Sequence, residues 1–204
     1  MKPSRSLDLS GRVAIVTGGT RGLGRVIAAR LAEAGCVVAV CGRTDPDSLP
    51  EGVVFHAADI RDPDQAQAFV AAVAAEHGRL DILVNNAGGS PKADAATASP
   101  RFFDSVLKLN LHAAMYMAQA AHAPMRASGG GSIVNIASVS AIRPSPGPAA
   151  YGAAKAGLLN LTQSLAQEWG PDAIRVNAII AGLMQTETAE QTYGDAQAQA
   201  AVGR

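Results

Sequence analysis

Aromatic residues make up only 4% of this 204-residue chain, and neither charge sign is in surplus, with 17 Lys and Arg against 17 Asp and Glu. Without a basic excess there is no footprint for a phosphate backbone, and without clustered aromatics there is no platform for stacked bases. Nucleic acid is therefore not an expected partner. Long apolar runs are missing too: Gly, Arg or a polar residue interrupts each one well short of the roughly 20 residues needed to span a bilayer. The N-terminal stretch MKPSRSLDLSGR lacks the apolar core of a signal peptide. No membrane association is expected, and a cytoplasmic location is the default. The only two cysteines, Cys36 and Cys41, fall in one apolar segment, where a pair on or near one strand has poor disulfide geometry. Both read as reduced packing residues. His56, His77, His112 and His122 show no ligand-like spacing, so no metal centre is expected.

The chain is, by contrast, 48% hydrophobic, and its apolar residues fall into an alternating order. Short β-branched runs at 13–17, 37–41, 53–56, 82–85, 133–137 and 176–180 read as strands. They are continuously apolar, which suits strands covered on both faces. Ala- and Leu-rich stretches at 23–34, 63–76, 101–126 and 149–169 read as helices, with a weaker candidate after Thr186. A βαβα order of this kind predicts an α/β fold with a doubly wound parallel sheet, and no linker, repeat or charge block divides residues 1–204 into more than one domain. The helices around 101–126 and 149–169 are apolar round most of their circumference. A helix of that kind needs cover on more than one side, and a second subunit could supply it, so a homo-oligomer is expected through these two helices.

Immediately after the first strand comes Thr17-Gly18-Gly19-Thr20-Arg21-Gly22-Leu23-Gly24, with a helical pattern directly behind it. Glycines there permit a tight turn and a close approach of pyrophosphate to backbone N–H groups at a helix start. About 20 residues on, where a dinucleotide fold reads the adenosine ribose, the sequence has Arg43. With Arg21 it could flank a ribose 2′-phosphate, so NADP(H) is the expected cofactor; nearby Asp45 and Asp47 leave NAD(H) open, as does a reading of Arg43 as a solvated loop cation.

Tyr151 and Lys155 lie four apart in a helical stretch, which places their Cβ atoms about 5–6 Å apart on one face. At an effective dielectric of about 20, an ammonium about 6 Å away favours the phenolate by roughly 2.8 kcal/mol. Such a phenol can give or take a proton near neutral pH. Ser138 follows the fifth strand at its carboxyl end, where it could hydrogen-bond a carbonyl oxygen gaining negative charge; Ser140 is a rival two residues on. Asn110 sits inside a helical stretch as a poor helix former that bends the helix or bonds a water.

Together these residues resemble the short-chain dehydrogenase/reductase family over nearly the whole chain. The turn from Thr17 to Gly24 is similar to its TGxxxGxG motif, Asp59-Ile60 to its acidic-apolar step, Asn85-Asn86-Ala87-Gly88 to its NNAG motif, and Asn110, Ser138, Tyr151 and Lys155 to its tetrad, in order and at the expected separations. The plain Tyr-x-x-x-Lys and the glycine spacing look like the oxidoreductase branch of about 250 residues, with carbonyl and 3-oxoacyl reductases among its members. The resemblance implies a Rossmann-like three-layer fold and a nicotinamide-dependent interconversion of a carbonyl and an alcohol without a metal. Tyr151 would be the general acid/base. Lys155 would support it and bond the nicotinamide ribose, Ser138 would orient the carbonyl, and Asn110 would hold a water in a relay toward Lys155. Gly18, Thr20, Arg21, Gly22, Leu23 and Gly24 would line the pyrophosphate side. Asp59 and Ile60 would lie at the adenine and Asn86, Ala87 and Gly88 at the ribose, while Gly182 and Thr186 match a PGxxxT cofactor segment in which Ala181 replaces the proline. Members of the branch continue through a lid, a further helix and a seventh strand. Here residues 187–204 look like an interrupted lid, and the last strand is expected to be absent from the chain. The alternative function is a catalytically impaired, cofactor-binding regulatory or scaffolding protein on the same fold. The substrate loops at 89–98, 139–150 and from Leu183 onward are nearly uncharged apart from Lys92, Asp94, Arg143 and Glu187, and do not name a substrate.

Overall fold

A computed structural model describes residues 7–182 and 184. Among these, six strands form one parallel sheet: β1 (Val13–Thr17), β2 (Val37–Gly42), β3 (Val53–Ala57), β4 (Ile82–Asn85), β5 (Gly131–Ser138) and β6 (Ile174–Ala181), in the order β3-β2-β1-β4-β5-β6. The helices are α1 (Gly22–Glu33), α2 (Pro63–His77), α3 (Pro100–Leu107), α4 (Ala113–Ala127) and α5 (Ala149–Trp169). This is a Rossmann-like α/β architecture, and strand and helix bounds fall within two residues of the expected ones except around Asn110. Start signals are local: Asp62 accepts from Asp64 N at 3.0 Å ahead of Pro63, and Ser99 accepts from Phe102 N at 3.1 Å ahead of Pro100.

The expected continuous helix over 101–126 is instead three pieces, α3, a π-helical turn (Lys108–His112) and α4. Asn110 supplies the reason. Its Nδ2 donates to the Val106 carbonyl, the i−4 acceptor, at 2.9 Å, so a side chain competes with the main-chain ladder and the register slips.

The sheet separates two apolar clusters. One packs α1 against β1 and β2 through Val16, Ala28, Val38 and Val40; the other packs α2, α4 and α5 on the opposite face through Ile15, Phe69, Leu83, Met117, Ile133 and Leu165. The expected cover on both faces of β6 is incomplete among the described residues: Ile174 and Val176 are buried at its start, whereas near its carboxyl end Ile179 is 54% and Ile180, on the opposite face, 43% exposed. The face of α4 that carries Met117, Ala118, Ala120, Ala121 and Met125 is buried against the sheet and α2, whereas Met115 and Tyr116 are partly buried and Gln119 and Ala123 exposed. Cys36 and Cys41 are free and buried, and burial pushes the Cys41 thiol up to about 12, so both act as small apolar residues. No described helix is long and apolar enough to cross a membrane.

Candidate active site

The strand order reverses between β1 and β4, and the crevice outside their carboxyl ends collects the residues singled out above. Thr17–Gly24 follows β1, Arg43 follows β2, Asp59 and Ile60 follow β3, Asn86–Gly88 follows β4, Ser138 ends β5 and Gly182 follows β6. Thr186 and the helix expected after it lie outside the described residues.

The glycine turn is clamped to the end of β4. Thr17 is buried, and its Oγ1 accepts from both Asn86 N and Ala87 N at 3.0 Å. Asn86 Nδ2 donates to the carbonyls of Thr17 at 3.0 Å and Gly18 at 3.3 Å. Gly24, in the first turn of α1, is pressed so closely on this clamp that a Cβ would collide with the Gly18 carbonyl and Asn86 Nδ2. Gly18 and Gly22 both have positive φ, at 63° and 54°. The N-cap of α1, Arg21, is exposed and makes no side-chain capping bond to the first turn. Close backbone and a helix start fit a pyrophosphate. Leu23 contributes differently, packing half-buried against the core on the α1 side.

At the end of β2, a Cβ on Gly42 would lie 3.7 Å from Thr20, so this strand end abuts the glycine turn and Arg43 projects exposed beside it. A third guanidinium, which the sequence pattern does not single out, sits nearby: Arg25 NH1 donates to the Ser48 carbonyl at 2.6 Å and to the Thr20 carbonyl at 3.5 Å, tying the loop after β2 to the turn. Its signal is faint, an Arg on an amphipathic helix. Asp59 and Ile60 also have partners within the chain. Both Asp59 oxygens accept from Arg61, whose Nε lies at 2.8 and 3.1 Å, and this pairing holds the carboxyl below its ordinary range. Ile60 is buried in the core, so its side chain serves packing.

The tetrad positions partly converge on Gly88. Lys155 is 3% exposed; its Nζ donates to the Ile136 carbonyl at 2.7 Å and lies 5.6 Å from the centroid of the Tyr151 ring. Desolvation lowers its pKa from 10.5 to about 8. A Cβ on Gly88 would stand 3.2 Å from Lys155 Nζ and 2.6 Å from Asn110 Oδ1, so only glycine admits both groups. Asn110 is 1% exposed, and its amide grips the next residue: Nδ2 donates to the Gly89 carbonyl at 2.9 Å and Oδ1 accepts from Gly89 N at 2.8 Å. With both Nδ2 hydrogens used, its side chain has one lone pair of Oδ1 left for a water. Ser138 is half-buried at the strand end and accepts from Ser140 N at 3.2 Å, whereas Ser140 Oγ pairs with Ser145 Oγ at 3.1 Å inside the loop. That pairing commits Ser140 to the loop and leaves Ser138 as the serine at the end of β5. Arg143 lines a groove of about 340 Å³ on the outer flank of α5 with Ala149, Gly152, Ala153 and Ala156, a lining that includes none of the tetrad.

A parallel sheet with a clamped glycine turn at its switch point and a buried Lys beside a Tyr defines a nicotinamide-dinucleotide enzyme. The model of the short chain dehydrogenase family matches residues 12–197. The chain is 37% identical over 205 residues to 2-dehydro-3-deoxy-D-gluconate 5-dehydrogenase of Escherichia coli, covering 97% of this chain and 81% of that one. It is 35% identical to gluconate 5-dehydrogenase of Gluconobacter oxydans, over 92% of this chain and 77% of that protein. Among solved structures, a short-chain type dehydrogenase/reductase from Mycobacterium ulcerans superposes with a TM-score of 0.88 at 32% identity, covering 95% of this chain and 75% of that one. The chain belongs to the short-chain dehydrogenase/reductase family and is an NAD(P)-dependent oxidoreductase.

Proposed function

We propose that the protein interconverts a ketone or aldehyde and an alcohol with NADP(H), Tyr151 protonating the carbonyl oxygen in reduction and deprotonating the hydroxyl in oxidation. The observation that carries this reading is Lys155, an ammonium buried 5.6 Å from the Tyr151 ring with no carboxylate partner among the described residues. A nearly dry cation stabilises a neighbouring phenolate more strongly than a hydrated one would. Bound NADP(H) would supply or accept the hydride. Ser138 orients the carbonyl, Lys155 bonds the nicotinamide ribose, and Asn110 holds the Gly88–Gly89 backbone against Lys155 and offers its remaining lone pair to a relay water. Arg21 and Arg43, both exposed beside the turn, favour the 2′-phosphate, with NAD(H) as the lesser cofactor.

Relatives named for gluconate, dehydro-deoxygluconate and D-threitol direct the search to keto sugar acids and polyols. The described residues share one sheet, which supports a single dinucleotide-binding domain over residues 1–204. The helices around 101–126 and 149–169, the latter with the exposed stripe Ala149, Ala153 and Ala156, are the surface proposed for a dimer or tetramer, checked by sedimentation, and the expected location is cytoplasmic. Consumption of NADPH against a carbonyl panel that includes 5-keto-D-gluconate tests the activity. Tyr151→Phe is expected to retain cofactor binding and lose at least about 100-fold in kcat; near wild-type turnover would refute the role. Arg43→Ala should reduce kcat/KM for NADPH by about tenfold and leave NADH unchanged, and an equal loss with both would remove the argument for the phosphate.

A further inference from the structure

Beneath the Tyr151–Lys155 pair, four elements are tied by one chain of buried side-chain hydrogen bonds. Asn85, the last residue of β4, donates from Nδ2 to the Ala114 carbonyl of α4 at 3.2 Å and to Asn135 Oδ1 at 2.9 Å. Asn135 sits opposite it in register on β5 and donates from its own Nδ2 to Thr162 Oγ1 at 2.9 Å. Thr162, on α5, donates onward to the Leu158 carbonyl at 2.7 Å. The three residues are 4%, 2% and 6% exposed, and Asn85 Oδ1 is buried without a partner among the described residues. The direction of the chain is forced, because turning over the Asn85 amide would set its oxygen against the Ala114 carbonyl and Asn135 Oδ1.

As a source of stability the arrangement is poor. An apolar trio would leave no orphaned acceptor, and buried polar chains are costly wherever one member is unmatched. What it supplies is direction. Ala154, Leu158 and Leu165 are buried on α5, and apolar contact of this kind is indifferent to small axial slips. A hydrogen bond weakens steeply once stretched or bent. Tyr151, Lys155, Leu158 and Thr162 follow one another at steps of four, three and four, so they line one face of α5. A slip at Thr162 is a slip at Lys155.

We infer that Asn85, Asn135 and Thr162 are positioning residues, whose hydrogen-bond chain holds α5 in axial register with β5 so that Lys155 Nζ meets the Ile136 carbonyl and the Tyr151 ring beside Gly88. Its catalytic meaning rests on the proposed proton-transfer role of that pair. The elements joined are those that carry the candidate site: β4 leads into Asn86–Gly88, β5 into Ser138, α5 holds Tyr151 and Lys155, and α4 begins directly after the turn of Asn110. The groups facing Lys155 are Tyr151 on its own helix, Asn110 and Gly88 opposite, and the Ile136 carbonyl beneath; Tyr151 alone among them titrates.

The test is Thr162→Val, which keeps the volume and deletes the hydroxyl, beside Thr162→Ser, which restores it. In the cofactor-free protein, the NMR titration midpoint of Lys155 should rise by at least about half a pH unit in Thr162→Val, as a loosened helix admits water to the ammonium. Thr162→Ser should return it to the wild-type value. With the best carbonyl of the panel, kcat should fall by about 10- to 100-fold in Thr162→Val while the Kd for NADPH stays within about twofold. If Thr162→Val is insoluble, Thr162→Cys, with a weak acceptor of similar volume, carries the same expectations. An unmoved midpoint, or a shift that serine does not reverse, overturns the inference. Full turnover in Tyr151→Phe would instead remove the functional reading, and the lysine titration would still decide, by itself, whether the chain sets the register.

Discussion

Replacing Lys155 by methionine should make the protein more stable at neutral pH while abolishing turnover. Lys155 is 3% exposed, and burial takes its pKa from 10.5 to about 8. Below about pH 8 the lysine is charged in both folded and unfolded chains, and the folded state bears the full cost of desolvating it. At about 1.36 kcal/mol per pH unit, moving from 10.5 to about 8 corresponds to roughly 3 kcal/mol. Between the two values the folded chain has released the proton and the unfolded chain has not, so stability rises with pH, and above 10.5 the cost has vanished. Methionine matches the length of the stem and has no charge to bury, but at pH 7 it forfeits the charge-assisted hydrogen bond to the Ile136 carbonyl, worth about 2 kcal/mol. Lys155→Met should therefore gain about 1 kcal/mol over wild type at pH 7. Near pH 9.5 the residual penalty is only about 1 kcal/mol, so the gain should nearly disappear. Titrating groups remote from Lys155 are common to both proteins and cancel in the difference, and Tyr151, which is coupled to Lys155, is removed from it by making the comparison in a Tyr151→Phe background. Urea unfolding of the two proteins at pH 7 and pH 9.5 reads the effect directly. A difference that stays constant between the two pH values, or a less stable Lys155→Met at pH 7, would refute the reasoning.

At the opposite end of the sheet, burial raises the pKa of Asp81, but hydrogen bonds from Arg79, the Val13 amide and Arg12 more than reverse this and leave it at about 2. Its stabilisation is complete above the ordinary value of 3.8 and is lost as pH falls through about 2. Because the two arginines are partly exposed, it is worth about 1–2 kcal/mol. Asp81→Asn should lose that amount at pH 7 in urea unfolding and flatten the acid limb between pH 4 and 2; an unchanged acid limb would contradict it. Gly24→Ala should destabilise the fold by about 1–3 kcal/mol and weaken NADPH binding by more than tenfold, because its methyl meets the Gly18 carbonyl and Asn86 Nδ2. Calorimetric binding equal to wild type would show that the turn yields more easily than its clamp implies.

The order of elements was legible because each strand is a compact β-branched run and each helix a longer Ala/Leu stretch, and signals such as Asp62-Pro63 and Ser99-Pro100 work within three residues. The spacing of Tyr151 and Lys155 likewise needs only the pitch of a helix. The break at Asn110 was half legible: asparagine marks an awkward helical position, but that its amide would take the Val106 carbonyl and grip Gly89 depends on a loop 21 residues away. Asn135 and Thr162 carried no readable signal, since a polar residue near a strand end or within a helix is ordinary until its partner is known; Thr17 and Asn85 stood out only as members of motifs, without the hydrogen bonds they make.

By itself, the sequence determined the βαβ alternation, the place of the glycine turn behind β1 and the pairing of Tyr151 with Lys155, because all three follow from local geometry. Only the tertiary structure decided which of these groups is dry, which is paired and which is merely packed. Lys155 loses its water because Asn110, Gly88 and β5 close round it, Asp59 faces Arg61, Ile60 turns into the core, and one face of α4 packs against α2 and the sheet. Burial and hydrogen-bond partners are set by residues distant in the chain, and the energies that tune the proposed proton-transfer pair come from them.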